Sequence, residues 1–258
     1  MRVAMHVFVP CLIFTAILGA RFAARDVTTL ALATGLQIAC GLIVGWIALR
    51  AFRLQAKREL LLPIAFVNSA NLPFPLVVAN FGPDALSPAV VCYMVTSVSI
   101  FSLGTAILHG GGDLRGALRE PTLWAAGLAI TLKALGVELD DLLMRAPRLA
   151  ASAAIPLILV LFGDALSRTS MTAAREATVV TVARYLSGAL ALGLTLLLLH
   201  PEGAVRKVLI FYALLPAAVV NVTLTQKAGR DAELVAAAVL MTTLVGVGLI
   251  PVLLALLH

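Results

Sequence analysis

Nine apolar runs follow one another along the chain, at about 3–20, 28–49, 60–79, 85–108, 121–136, 149–166, 177–199, 207–226 and 232–257, separated by short polar gaps. Most reach the roughly 20 residues an α-helix needs to cross a bilayer core, and the run at 121–136 is short enough to require a tilt or a locally thin membrane. The pattern predicts an all-α membrane protein with nine transmembrane helices. One run carries its own interruption: Asn68-Ser69-Ala70-Asn71-Leu72-Pro73-Phe74-Pro75 lies in the middle of 60–79. Pro73 and Pro75 remove two amide donors and clash with the preceding turn, so no helix passes through unbroken. Inside a bilayer, freed backbone groups persist only where they are buried in protein or line a cavity. A broken apolar helix with two asparagines is therefore the first place to look for a ligand.

Composition agrees. With 61% hydrophobic residues, 12% charged residues and a mean hydropathy of +1.05, the chain is no soluble globule, which would carry about twice that charged fraction. Lys and Arg number 19 against 13 Asp and Glu. Most of them lie in the gaps between apolar runs, where they mark topology rather than a nucleic-acid surface. Cys11, Cys40 and Cys92 stand singly within apolar runs, with neither a C-x-x-C pair nor ligand spacing, so they predict packing residues and no metal, disulfide or cofactor.

An internal repeat organises the chain. Shifted by 147 residues, Gly82-Pro83-Asp84-Ala85 falls on Gly229-Arg230-Asp231-Ala232, and Ala89, Met94, Thr96 and Val98 fall on Ala236, Met241, Thr243 and Val245; at 146, Pro10 meets Pro156. The first run, which with Arg2 before it also has features of a secretory signal peptide, thereby pairs with a mature span at 149–166. The run at 121–136 would have its partner before residue 1, so each full repeat has five helices and this chain holds four of the first. We expect a first repeat at 1–108, a linker loop at 109–120 and a second repeat at 121–258. An odd repeat is inverted in the membrane, the arrangement common in secondary transporters.

Counting Lys and Arg in alternate gaps gives 11 on the side of Arg2, Arg50, Arg53, Lys57, Arg58, Arg115, Arg119, Arg168, Arg175, Lys227 and Arg230, and 6 on the other. The richer side is expected to be cytoplasmic, with the N-terminus inside and the C-terminus outside a cell membrane. His109-Gly110-Gly111-Gly112-Asp113 lacks the Lys-Ser/Thr of a phosphate loop and reads as linker.

A second interruption is expected at Pro216, with Asn221, Thr223, Thr225 and Gln226 after it in the run 207–226. Each asparagine has two readings, a cap on a freed backbone group or a ligand contact. Because Asn68, Asn71 and Asn221 all stand beside breaks, they are expected to converge. Neutral amides with half-helix N-termini suit a carboxylate, since exposed amide donors and the positive dipole end favour an anion. Two ionisable residues fall within helices. Arg184, about eight residues into its run and so on the order of 12 Å deep, either snorkels, faces the cavity, or pairs with Asp164 at similar depth. Phe162-Gly163-Asp164 lacks the first glycine and the second mid-helix aspartate that an intramembrane aspartyl protease needs, so no enzyme is expected.

Asn68-Ser69-Ala70-Asn71-Leu72-Pro73-Phe74-Pro75-Leu76, with Gly82 after it, resembles the N-S-G-N-x-G-x-P-L segment of the auxin efflux carrier family, within the bile/arsenite/riboflavin transporter-like superfamily. Pro156-Leu157-Ile158-Leu159 with Gly163 and Leu166, and Pro216 with Asn221, Thr243 and Pro251, are similar to that family's second repeat. Ala70 and Pro73 stand where the family has glycine. The resemblance implies a five-plus-five inverted-repeat fold of ten helices, here without the first. It also implies scaffold helices that pair two copies, and two broken helices crossing at the substrate. The expected substrate-binding set is then Asn68, Ser69, Asn71, Pro73, Pro75, Pro216 and Asn221, in a carrier for a small organic anion, in contact with membrane lipid. A sodium-coupled symporter of the bile acid type and a non-transporting membrane paralogue are the rival readings.

Overall fold

A computed structural model describes residues 3–19, 24–109, 121–167 and 173–257, and the expected linker falls almost wholly outside them. The described residues are helical nearly throughout. After one π turn at Ala4–Phe8 come α1 (Val9–Gly19), α2 (Ala24–Ala51), α3 (Leu61–Ala65), α4 (Pro73–Phe81) and α5 (Leu86–Ser99); a second π turn joins α5 to α6 (Thr105–His109). The second half holds α7 (Pro121–Ala134), α8 (Asp141–Ser167), α9 (Ala174–Leu199), α10 (Gly203–Ala213), α11 (Val220–Lys227) and α12 (Ala232–Leu257). Four stretches among them are long and apolar enough to cross a membrane: Arg25–Ala51, Pro83–His109, Ala174–Leu199 and Ala232–Ala255. Leu149 on α8, Trp124 and Leu128 on α7, and Val182, Leu186 and Leu197 on α9 are exposed. Apolar surface of that kind is stable against lipid, not water.

Helix α2 runs antiparallel to α9. Arg175 at the start of α9 donates to the Phe52 carbonyl just past the end of α2, and Arg25, Asp26 and Thr29 meet Leu199 and His200 at the opposite ends. Helix α12 packs on α9, and α5 on α2. A second group forms where α1 packs against α7 and α8, which places Pro10 and Pro156 on neighbouring helices. The half-helices α4 and α11 both stop at a glycine with positive φ, Gly82 (86°) and Gly229 (65°), a conformation that costs glycine nothing. These are the two positions that the 147-residue shift superposes.

Both predicted interruptions are present. The helix in 60–79 ends at Ala65, Phe66 is extended (φ −108°, ψ 109°), and α4 begins at Pro73. There proline is tolerated, because the first turn of a helix has no use for its amide. The helix in 207–226 ends at Ala213 and resumes at Val220. Close packing at the breaks is set by two glycines. A Cβ on Gly41 of α2 would lie 2.6 Å from Ala65 Cα, and one on Gly188 of α9 would lie 2.2 Å from the Ala213 carbonyl oxygen.

Candidate functional site

The two interrupted segments cross and pair with each other. Val67 and Ala217 form an isolated antiparallel bridge. Asn68 N–H donates to the Pro216 carbonyl (2.8 Å) and Ala218 N–H to the Phe66 carbonyl (3.1 Å). Each break thus supplies the hydrogen bonds that the other has lost, the requirement for non-helical backbone at membrane depth. Asn221 Nδ2 adds a second donor to the Phe66 carbonyl (3.0 Å), and Asn68 Oδ1 accepts from Asn71 N–H (3.1 Å).

The carbonyls that lose a proline's amide find side-chain donors, although that of Tyr212 also accepts from Leu215 N–H (3.2 Å). Pro73 cannot donate to Ser69, and Pro216 cannot donate to Tyr212. Tyr212 Oη lies 2.8 Å from the Ser69 carbonyl and 2.9 Å from that of Ala89, so its one proton serves either. Gln37 Nε2 on α2 donates to the Tyr212 carbonyl (3.1 Å). Arg184 on α9 reaches the end of α10 with Nε at 3.2 Å from the Leu215 carbonyl and Nη2 at 3.2 Å from that of Ala213. Ala217 N–H donates to Thr242 Oγ1 on α12 (3.2 Å).

Asn68 and Asn221 are therefore buried and bonded together through the crossing, and Ser69, Pro73, Pro75 and Pro216 lie within or beside it. A cavity of about 120 Å³ opens there, lined among others by Asn68, Ser69, Asn71, Tyr93 and Ser97. Asn68 Nδ2 and Asn221 Oδ1 are buried without a hydrogen-bond partner. In a native protein such atoms call for an explanation, and of the two residues only Asn68 lines the cavity. The half-helix N-termini offer fewer amides than the sequence reading expects. Pro73 and Pro75 have none, Phe74 N–H bonds Ala70, and Asn221 N–H bonds Ala218. Side-chain amides are the donors that remain.

The structure does not bring Asp164 and Arg184 together, which corrects the expected charge pair. Asp164 is exposed on α8, which packs on α1 and α4, whereas Arg184 is fully buried between α9 and the end of α10. Equal depth in the membrane says nothing about which way two helices face. Arg184 does not snorkel either, since its bonds run to buried carbonyls. Reasoning from sequence alone overlooked Gln37, Tyr212 and Thr242. The repeat contains a signal for one of them, because the 147-residue shift places Gln37 on Arg184 and Gly41 on Gly188.

Two interrupted helices that cross and complete each other's backbone bonding are the arrangement found in membrane carriers built on broken helices. Comparison with known proteins gives the family. Residues 1–113 and 108–254 match the Membrane transport protein family, and the chain belongs to it; this is the family of the auxin efflux carriers. The chain is also similar to an uncharacterized transporter of Methanothermobacter thermautotrophicus, 27% identical over 266 residues that cover 97% of this chain and 85% of that protein.

Proposed function

We propose that this membrane transporter is a secondary carrier for a small organic anion, a carboxylate, which binds at the crossing of the two breaks and moves by alternating access. The observation that carries the reading is the unpaired, buried Asn68 Nδ2 in the wall of the crossing cavity. A neutral amide donor at a site with no carboxylate in its lining favours an anionic oxygen. The volume of about 120 Å³ is on the order of four waters' worth of liquid, enough for the carboxylate end of a substrate.

A larger cleft of about 1000 Å³ opens beside α1 and the starts of α5 and α10, with Thr15, Ala16, Ser87 and Val205 on its walls, and Ser87 Oγ donates to the Ala16 carbonyl at its edge (3.1 Å). By the distribution of Lys and Arg it lies on the outer face of the cell membrane. It lies where the group of α1, α7 and α8, the scaffold implied by the resemblance, meets the helices that hold the crossing. Two copies would pair within the bilayer through the exposed Trp124, Leu128 and Leu149 of that scaffold.

The test is uptake by the purified chain in proteoliposomes, using a panel of labelled aliphatic and aromatic monocarboxylates beside neutral and cationic analogues of matched size. Saturable uptake confined to the carboxylates is expected. Uptake of the neutral or cationic analogues with no carboxylate transported would overturn the reading.

A further inference from the structure

Arg184 has the largest fully buried side chain among the described residues, and no carboxylate of those residues pairs with it. A guanidinium stays charged even when buried, so its charge must be opposed by something. The opposing groups are carbonyls. Ala213 closes α10, and its oxygen and that of Leu215 take Nη2 and Nε. The C-terminal end of a helix carries the negative end of its dipole, and here the chain unwinds immediately afterwards. Carriers with broken helices use that combination, unwound carbonyls at a half-helix C-terminus, to coordinate a coupling cation. Arg184 is absent from the walls of the crossing cavity, and its Nη1 points instead to Gly188, 3.1 Å from where a Cβ there would lie.

The position 147 residues earlier shows what hydrogen bonding alone requires. Gln37 serves the neighbouring Tyr212 carbonyl with a neutral amide. At Arg184 the same task is done with a full positive charge, although burying a charge is far more costly than burying an amide.

We infer that the Arg184 guanidinium is a resident cation, standing at the end of α10 where a coupling cation such as sodium would otherwise bind, so that this carrier works without sodium. The inference goes beyond the anion-carrier reading and its tests need no cargo, so their failure leaves that reading to the uptake assay.

The probes are sodium and methylguanidinium, applied to the purified full chain in detergent, with the unfolding temperature as readout. In sodium chloride and in choline chloride of equal ionic strength, the native chain is expected to unfold at the same temperature. Arg184→Gln, with the charge removed, is expected to unfold earlier and to regain about 5 °C in saturating sodium but not in choline. Arg184→Ala is expected to be stabilised by methylguanidinium and not by methylurea, which has similar shape and donors but no charge. A sodium-specific shift in the native chain would overturn the inference, as would equal rescue by methylurea, or variants indifferent to both cations. If neither variant can be purified folded, Arg184→Lys decides: folded protein supports a role for the charge, and its loss as well would assign the site to the forked hydrogen bonds alone.

Discussion

Val67 and Ala217 face each other across an antiparallel bridge although 150 residues separate them. The same separation relates Asn71 to Asn221. The bonds that flank the bridge run from Asn68 to Pro216 and from Ala218 to Phe66, so each break acts once as donor and once as acceptor. This reciprocity closes the backbone bonding of the crossing, and beside it Asn68, Ser69 and Asn71 line the cavity while Asn221 is buried against the Phe66 carbonyl.

Asn68→Asp separates the structural use of this side chain from its proposed use in binding. The carboxylate still offers an oxygen to Asn71 N–H, so the turn before α4 is expected to form and the protein to fold. The free amide donor becomes an acceptor with a negative charge, and carboxylate uptake in proteoliposomes is expected to fall by at least tenfold, an effect of about 1.4 kcal/mol or more. Unchanged uptake at normal folded yield would show that Asn68 does not touch cargo.

The close approach at the breaks predicts a sharp contrast among glycines. Gly188→Ala and Gly41→Ala drive a methyl group into backbone atoms, 2.2 Å from the Ala213 oxygen and 2.6 Å from Ala65 Cα. Each is expected to cost about 3 kcal/mol or more and to reduce the folded fraction seen by size-exclusion chromatography. Gly193→Ala on the same α9 meets nothing within 4 Å. It is expected to be neutral or to stabilise by about 0.5–1 kcal/mol, through helix propensity.

Glu59 and Arg230 tie the N-terminal and C-terminal halves of the chain together near the polar ends of the helices. Arg230 Nη1 lies 3.5 Å from Glu59 Oε2, a side chain that is only 7% exposed, and Arg230 Nε donates to the Leu108 carbonyl at 2.9 Å. Arg230→Gln leaves Glu59 buried beside a neutral group and is expected to destabilise by about 1–3 kcal/mol, with Glu59→Gln restoring part of it in the double variant. Breaking Arg148–Asp141, whose side chains are 59% and 88% exposed, is expected to leave the melting curve unchanged. Thermal unfolding of the four variants in detergent checks the contrast.

The separation of Asp164 from Arg184 predicts additivity. Asp164→Asn on the exposed face of α8 is expected to change folded yield little. Arg184→Gln withdraws a guanidinium from two buried carbonyls and is expected to lower the yield several-fold. In the double variant the two effects should simply add. Recovery of yield in the double variant, measured by fluorescence-detected chromatography, would restore the charge pair.

What the sequence determined by itself follows from forces that act locally or through composition. An apolar content of 61% dictates a lipid environment wherever it is arranged. Pro73 and Pro216 stand at breaks while Pro156 and Pro251 lie inside the continuous helices α8 and α12, so the two breaks were legible not from proline alone but from proline beside asparagines in an apolar run. Helices α4 and α11 stop at Gly82 and Gly229, positions that the 147-residue shift superposes although no helix end was expected from them. Tertiary structure alone decided which donors reach the freed carbonyls. Gln37 is 175 residues from Tyr212, Tyr212 is 143 from Ser69, and Arg184 is 29 from Ala213. Nothing in the local pattern distinguishes Gln37 or Tyr212 from other side chains in an apolar helix, and for Arg184 it shows the charge but not its partners. Depth along a helix can be counted in residues, but the direction a side chain faces is set by the neighbours it packs against. For that reason Asn221 bonds the Phe66 carbonyl and stays out of the cavity that Asn68 and Asn71 line, while Arg184 turned away from Asp164 and toward the end of α10.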